Sequence, residues 1–73
     1  MEEYAVILTH STSHTIRVEK ILKEEGFTIK MIPVPRHVSS DCGSCVKIKV
    51  ENKDRVLEIL KQRNAQFDRI ELL

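Results

Sequence analysis

The stretch TIKMIPVPRHVSSDCGSCVKIKV, residues 28–50, decides the fold of this chain. Its first residues, Thr28 to Ile32, are β-branched in character and read as a strand. Pro33 ends that strand, because proline has no N–H for a ladder and pushes the preceding residue out of the α region. At the far end, Val46, Ile48 and Val50 alternate with Lys47 and Lys49, which predicts a strand from Cys45 to Val50 with one wet face. Between the two lies the segment 33–44, the longest irregular stretch of the chain, and connections of that length in compact domains tend to be functional.

Working outward toward the N-terminus, the apolar run Tyr4-Ala5-Val6-Ile7-Leu8-Thr9 reads as a buried central strand. The polar cluster His10-Ser11-Thr12-Ser13 follows and offers several N-cap hydroxyls for a helix starting near Ser13 or His14. Val18, Ile21, Leu22 and, more loosely, Thr15 fall on one helical face, with Arg17, Glu19, Lys20, Lys23 and Glu24 on the other. Gly26 is the expected C′ residue. Toward the C-terminus, Asn52 is placed to cap a helix from Lys53 to about Arg63, with Val56, Leu57, Ile59 and Leu60 as its apolar stripe and Asn64 as its stop. Phe67 to Leu72 makes a fourth strand.

The order βαββαβ predicts an α+β fold, a ferredoxin-like two-layer sandwich with a four-stranded antiparallel sheet and two helices on one face. If the first two strands run the same way, the turn into helix one and the connection from strand two to strand three share one end of the sheet. Residues Ser11 to His14 then neighbour Cys42.

Composition narrows the class. A chain of 73 residues has room for one core, so residues 1–73 read as a single domain, and its 41% hydrophobic and 32% charged content is that of a folded globule. With 12 basic and 11 acidic residues, the net charge of +1 gives no global field able to hold a polyanion. No apolar run reaches the roughly 20 residues of a membrane span, and the acidic start Met1-Glu2-Glu3 is unlike a signal peptide, so a cytoplasmic protein is expected. The two cysteines lie three positions apart, too close for a disulfide that would staple the fold. In a reducing compartment such a pair points to metal binding or reactivity.

Chemistry concentrates on Cys42-Gly43-Ser44-Cys45, in a connection that also carries Arg36 and His37 and lies beside the start of helix one, whose free amides and dipole favour an anion. Those surroundings lower a thiol pKa, and the thiolate is the nucleophile and the sulfur or selenium acceptor. Gly43 leaves the backbone free to take positive φ and lets a partner approach the sulfur. Two features pull the other way: Asp41 disfavours a thiolate beside it, and a free cysteine is often a buried, inert small hydrophobe. Cys45 reads as a packed strand residue or as a resolving thiol for a disulfide or persulfide on Cys42.

Other classes are weaker on the same residues. His10, His14 or His37 with the two cysteines could complete a tetrahedral zinc site, yet a lone CxxC is half of a closed zinc set and no second pair exists. Copper chaperones of this architecture carry their CxxC after the first strand, not the second. RNA-recognition domains stack bases on aromatic residues of strands one and three. This chain has only Tyr4, Phe27 and Phe67 as aromatics, and its third strand shows Lys47 and Lys49 instead. Nucleic acid is therefore not the expected partner; Lys30, Lys47 and Lys49 read as a solvated sheet face or a docking surface for an acidic partner. No metal or cofactor is called for.

Ser11-Thr12 leading into a helix with Glu19-Lys20, then Ile32-Pro33-Val34-Pro35-Arg36, Ser39 and Cys42-Gly43, resembles the family of small bacterial and archaeal selenium/sulfur (Se/S) carrier-like proteins. The resemblance spans roughly residues 4–60, and its most specific part is the Pro-Arg segment at fixed distance from the Cys-Gly pair. It implies a cytoplasmic carrier rather than an enzyme, holding sulfur or selenium on Cys42, with Arg36 and Ser11, Thr12 and His14 as the supporting shell. Donor and acceptor proteins of sulfur or selenium metabolism are the implied partners, and a homodimer through the edge strand 28–32 is a further expectation. Family members usually have a small aliphatic residue where this chain has Cys45.

Overall fold

The computed structural model describes residues 3–36 and 43–73. Its elements run β1 (Tyr4–Leu8), α1 (Thr12–Glu24), β2 (Lys30–Pro33), β3 (Ser44–Lys49), a 3-10 turn (Val50–Asn52), α2 (Lys53–Gln62) and β4 (Arg69–Leu72). The four strands form one sheet in the order β2-β3-β1-β4, with every neighbouring pair antiparallel. This is the expected α+β two-layer arrangement with the βαββαβ order of elements.

Strand alternation sorts the side chains onto two faces. Ala5 and Ile7 of β1 pair in register with Ile48 and Val46 of β3, and all of these are buried together with Val18 and Leu22 of α1 and Val56 and Leu60 of α2. Both helices therefore cover the same sheet face. Ile70 of β4, opposite Ile7, joins that core from the edge. The other face carries Tyr4, Val6 and Leu8 of β1, Cys45, Lys47 and Lys49 of β3, Lys30 and Ile32 of β2, and Arg69 and Glu71 of β4. A second, smaller cluster of Val6, Leu8 and Cys45 is buried there, with Ile32 and Val34 packed against it.

The two helices end by the same device. After α1, Gly26 takes φ 88° while Gly26 N–H donates to Lys23 O and Phe27 N–H to Leu22 O. After α2, Asn64 takes φ 53° while Asn64 N–H donates to Lys61 O and Ala65 N–H to Leu60 O. Each is a Schellman closure, which requires one left-handed residue, and glycine and asparagine are the residues that tolerate it best. Arg63 adds a side-chain brace, reaching Glu24 at 3.1 Å and Glu25 at 3.4 Å, while Arg17 donates to the Arg63 carbonyl.

Several boundaries differ from the reading of the sequence. Helix α1 starts earlier, at Thr12, because Ser11 is its cap: Ser11 Oγ accepts from His14 N–H at 3.3 Å. Asn52 makes no side-chain cap at α2, since the 3-10 turn runs straight into the helix and Lys53 N–H already finds the carbonyl of Val50. That turn claims Val50, so β3 ends at Lys49. The second strand spans 30–33, not 28–32, and Pro33 lies within it opposite Ser44. Pairing continues past the proline, with Val34 N–H donating to Gly43 O at 3.1 Å. This is tolerated because β2 is an edge strand, where a missing N–H can face outward. Strand β4 is confined to 69–72. Among the described residues, no helix is long and apolar enough to cross a membrane.

Candidate functional site

One end of the sheet gathers the β1–α1 turn and the start of β3. Thr15, in the first turns of α1 and 1% exposed, donates its hydroxyl to the carbonyl of Ser44 at 3.1 Å. Thr15 Oγ1 also meets Thr9 Oγ1, and the Thr9 hydroxyl lies 2.9 Å from the carbonyl of Ser11. Each hydroxyl has a single proton to give. With Thr15 donating to Ser44, the Thr9 hydroxyl can donate to Thr15, and Thr15 N–H satisfies Ser11 O at 3.1 Å. A short chain of hydroxyls thus ties the end of β1, the first turn of α1 and the first residue of β3.

Three of the residues singled out in the sequence, Ser11, Thr12 and His14, belong to the start of α1 that this tie holds. Ser11 caps α1, Thr12 is its exposed first residue, and His14 lies in its first turn. The first turn of α1 holds no carboxylate, whereas that of α2 holds Asp54, so only α1 leaves its positive end uncompensated by its own residues. His14 Nδ1 is the one buried side-chain nitrogen or oxygen among the described residues without a hydrogen-bond partner. An orphaned polar atom of this kind costs stability and marks a place where a further partner would be favoured.

Gly43 adopts φ 135°, with nothing within 4 Å of the position a Cβ would take. The glycine is therefore required by the backbone rather than by crowding. Arg36 is exposed at a turn that follows Pro35. His10 is held elsewhere: its Nε2 lies 3.8 Å from Asp68, ahead of β4. Cys42 and His37 fall outside the described residues.

Cys45 is fully buried in the smaller cluster with Val6 and Leu8. Its Sγ lies 4.0 Å from the carbonyl of Pro33, a weak S–H donor contact. Burial pushes its thiol pKa above the ordinary value, because the thiolate would lose its hydration. At neutral pH this sulfur is a protonated core atom. Among the described residues, no group of three or more histidines, cysteines and acidic side chains is placed to hold a metal ion.

The hydroxyl chain was only faintly visible in the sequence. Thr15 reads there as an imperfect member of an apolar stripe, and a hydroxyl at an otherwise buried helical position is the signal that it bonds to a second element.

Compared with known proteins, the chain matches no curated protein and no solved structure. A family model described as "Putative Se/S carrier protein-like" matches residues 3–71, nearly the whole chain and the full span of the hydroxyl tie. The chain belongs to the Se/S carrier-like protein family.

Proposed function

We propose that this protein carries sulfur or selenium on Cys42 between a donor and an acceptor protein in the cytoplasm, without turning over a substrate of its own. The observation that carries the reading is the bond from Thr15 to Ser44, which brings the uncompensated start of α1 against the chain two residues after Cys42. Membership of the Se/S carrier-like family supports the same assignment.

The chemistry balances without an added oxidant. The Cys42 thiolate attacks the outer sulfur of a persulfide on a donor protein; a new S–S bond forms at Cys42, the donor's S–S bond breaks, and the donor leaves as a thiolate. With a selenium-bearing donor, the outer atom transferred is selenium and the thiolate again departs. The terminal persulfide or perselenide is anionic near neutral pH. The positive end of α1, the orphaned Nδ1 of His14 and the exposed Arg36 are the groups assigned to it. Gly43, open on its Cβ side, would let a partner's sulfur approach.

A protonated, buried Cys45 is poorly suited to attack a sulfur held on Cys42. The reading therefore gives release of the cargo to the acceptor's own thiolate. A Cys42–Cys45 thiol–disulfide switch would instead require the β3 end to open, which is measurable as oxidation of the pair in a glutathione buffer.

The test is incubation with a persulfide-forming cysteine desulfurase and cysteine, followed by intact mass. The expected result is a gain of one sulfur on the wild-type chain, lost in Cys42→Ala and kept in Cys45→Ala. Equal loading of Cys42→Ala, or none on the wild type, overturns the proposal.

A further inference from the structure

We infer that the sheet face away from the helices carries a docking surface for an acidic segment of a partner protein, centred on the directly opposed lysines Lys30 and Lys47. Their identity as residues of one face follows from the register: Lys30 of β2 pairs with Lys47 of β3, as Ile32 pairs with Cys45. Lys49 lies two positions along β3 on the same face. Like charges directly opposite one another destabilise an antiparallel pair. A fold that keeps such a pair on an edge hairpin retains it at a cost, and an anionic partner relieves that cost on binding.

No acid among the described residues relieves it. Neither Lys30 nor Lys47 forms an ion pair among the described residues. The carboxylate on the same face of β4, Glu71, is engaged by Arg69 at 2.9 Å and lies beyond β1 from Lys47. Lys47 is also held in place: its Nζ sits 4.5 Å from the centre of the Tyr4 ring, a cation–π contact that reduces the side-chain entropy lost when an anion is bound. Beside it on β1, its register partner Val6 is fully buried, so Lys47 stands against a packed neighbour.

Spacing selects the partner. Opposed residues lie about 5 Å apart across strands and alternate residues about 7 Å apart along one, distances that match carboxylates on successive turns of an acidic helix. A nucleic acid fits less well, because base stacking needs exposed rings and, among the described residues, the one ring on this face, Tyr4, already carries Lys47 on its surface. That the partner is the sulfur or selenium donor or acceptor rests on the carrier reading; the surface itself does not.

The probe is a fluorescent helical peptide with Glu at i, i+4 spacing, titrated against the full chain with anisotropy and backbone amide shifts as readouts. Binding is expected to weaken about tenfold in Lys30→Gln/Lys47→Gln and again as salt rises from low to physiological strength. Amide shifts should concentrate at residues 30, 47 and 49. Lys30→Glu alone should raise the melting temperature, since it turns a repelling pair into an attracting one. Undiminished binding by the double variant, shifts centred elsewhere, an unchanged or lower melting temperature for Lys30→Glu, or stronger binding to a single-stranded RNA or to phosphatidylserine vesicles overturns the inference. Peptide binding is read with no sulfur on Cys42, and loading of Cys42 from inorganic polysulfide is read with no partner, so failure of one leaves the other standing.

Discussion

Thr15 Oγ1 donates to the carbonyl of Ser44 across 3.1 Å, joining residues 29 positions apart in the chain. The bond fixes where the first turns of α1 stand relative to the connection that ends at β3. Because Thr15 is buried, the Ser44 carbonyl would have no replacement from bulk water on that side if the hydroxyl were lost.

Replacing Thr15 by Val, close in shape but without the hydroxyl, is expected to cost about 1–2 kcal/mol, the penalty of a partly buried carbonyl that loses its donor. Thr15→Ser should cost less, since the donor survives. Urea denaturation with a fixed m-value measures both, and a Thr15→Val chain as stable as wild type would show that the bond contributes nothing.

The cap at Ser11 makes a second expectation. Ser11→Ala removes the acceptor for His14 N–H and should destabilise by about 1 kcal/mol. Ser11→Asp should be neutral or slightly stabilising, because the first turn of α1 holds no carboxylate and its dipole favours one. Thermal melts of the three chains at low and high salt test the order; an Asp variant weaker than the Ala variant would refute the electrostatic part.

Gly43, at φ 135° with open space around its Cβ position, isolates a backbone effect. Gly43→Ala is expected to cost about 1–3 kcal/mol through strain alone. Chemical synthesis with D-alanine at position 43 should recover most of that loss, as its mirror geometry favours positive φ. Equal destabilisation by both enantiomers would point to a steric cause instead.

Cys45 predicts a pH dependence whose sign is fixed by burial. Its folded pKa is raised, so the native state holds the thiol proton more tightly than the unfolded chain does. The resulting stabilisation is complete below the unfolded thiol pKa of about 8.5 and is lost as pH climbs from there through the folded value. Denaturant titrations between pH 7 and 10 on Cys42→Ala should show this decline, and Cys42→Ala/Cys45→Ala should show less of it. Iodoacetamide should modify Cys45 only as fast as the chain opens; rapid labelling under native conditions would contradict its burial.

Much of the architecture was legible because it rests on local signals. The alternation of Val46 and Ile48 with Lys47 and Lys49, the helical spacing of Val18, Ile21 and Leu22, and the stops at Gly26 and Asn64 each follow from period or backbone preference. Errors lay at boundaries, where neighbouring elements compete. Val50 reads as strand by its pattern yet opens the 3-10 turn, which in turn relieves Asn52 of capping. Pro33 reads as a stop but sits in an edge strand whose outer side needs no donor.

The candidate site divides in the same way. The residue types at Ser11, Thr12, His14, Arg36, Cys42 and Gly43, and their resemblance to a carrier family, were present in the one-dimensional text, since side-chain chemistry and turn preference are properties of single positions and short spacings. Which of its two readings Cys45 takes was not: strand register puts it on the face of Val6 and Leu8, where it is buried. Nor could spacing disclose that Thr15 reaches Ser44, or that Lys30 faces Lys47, because sheet register and helix docking are set by burial of the whole apolar set at once, and only the folded chain brings those pairs within contact.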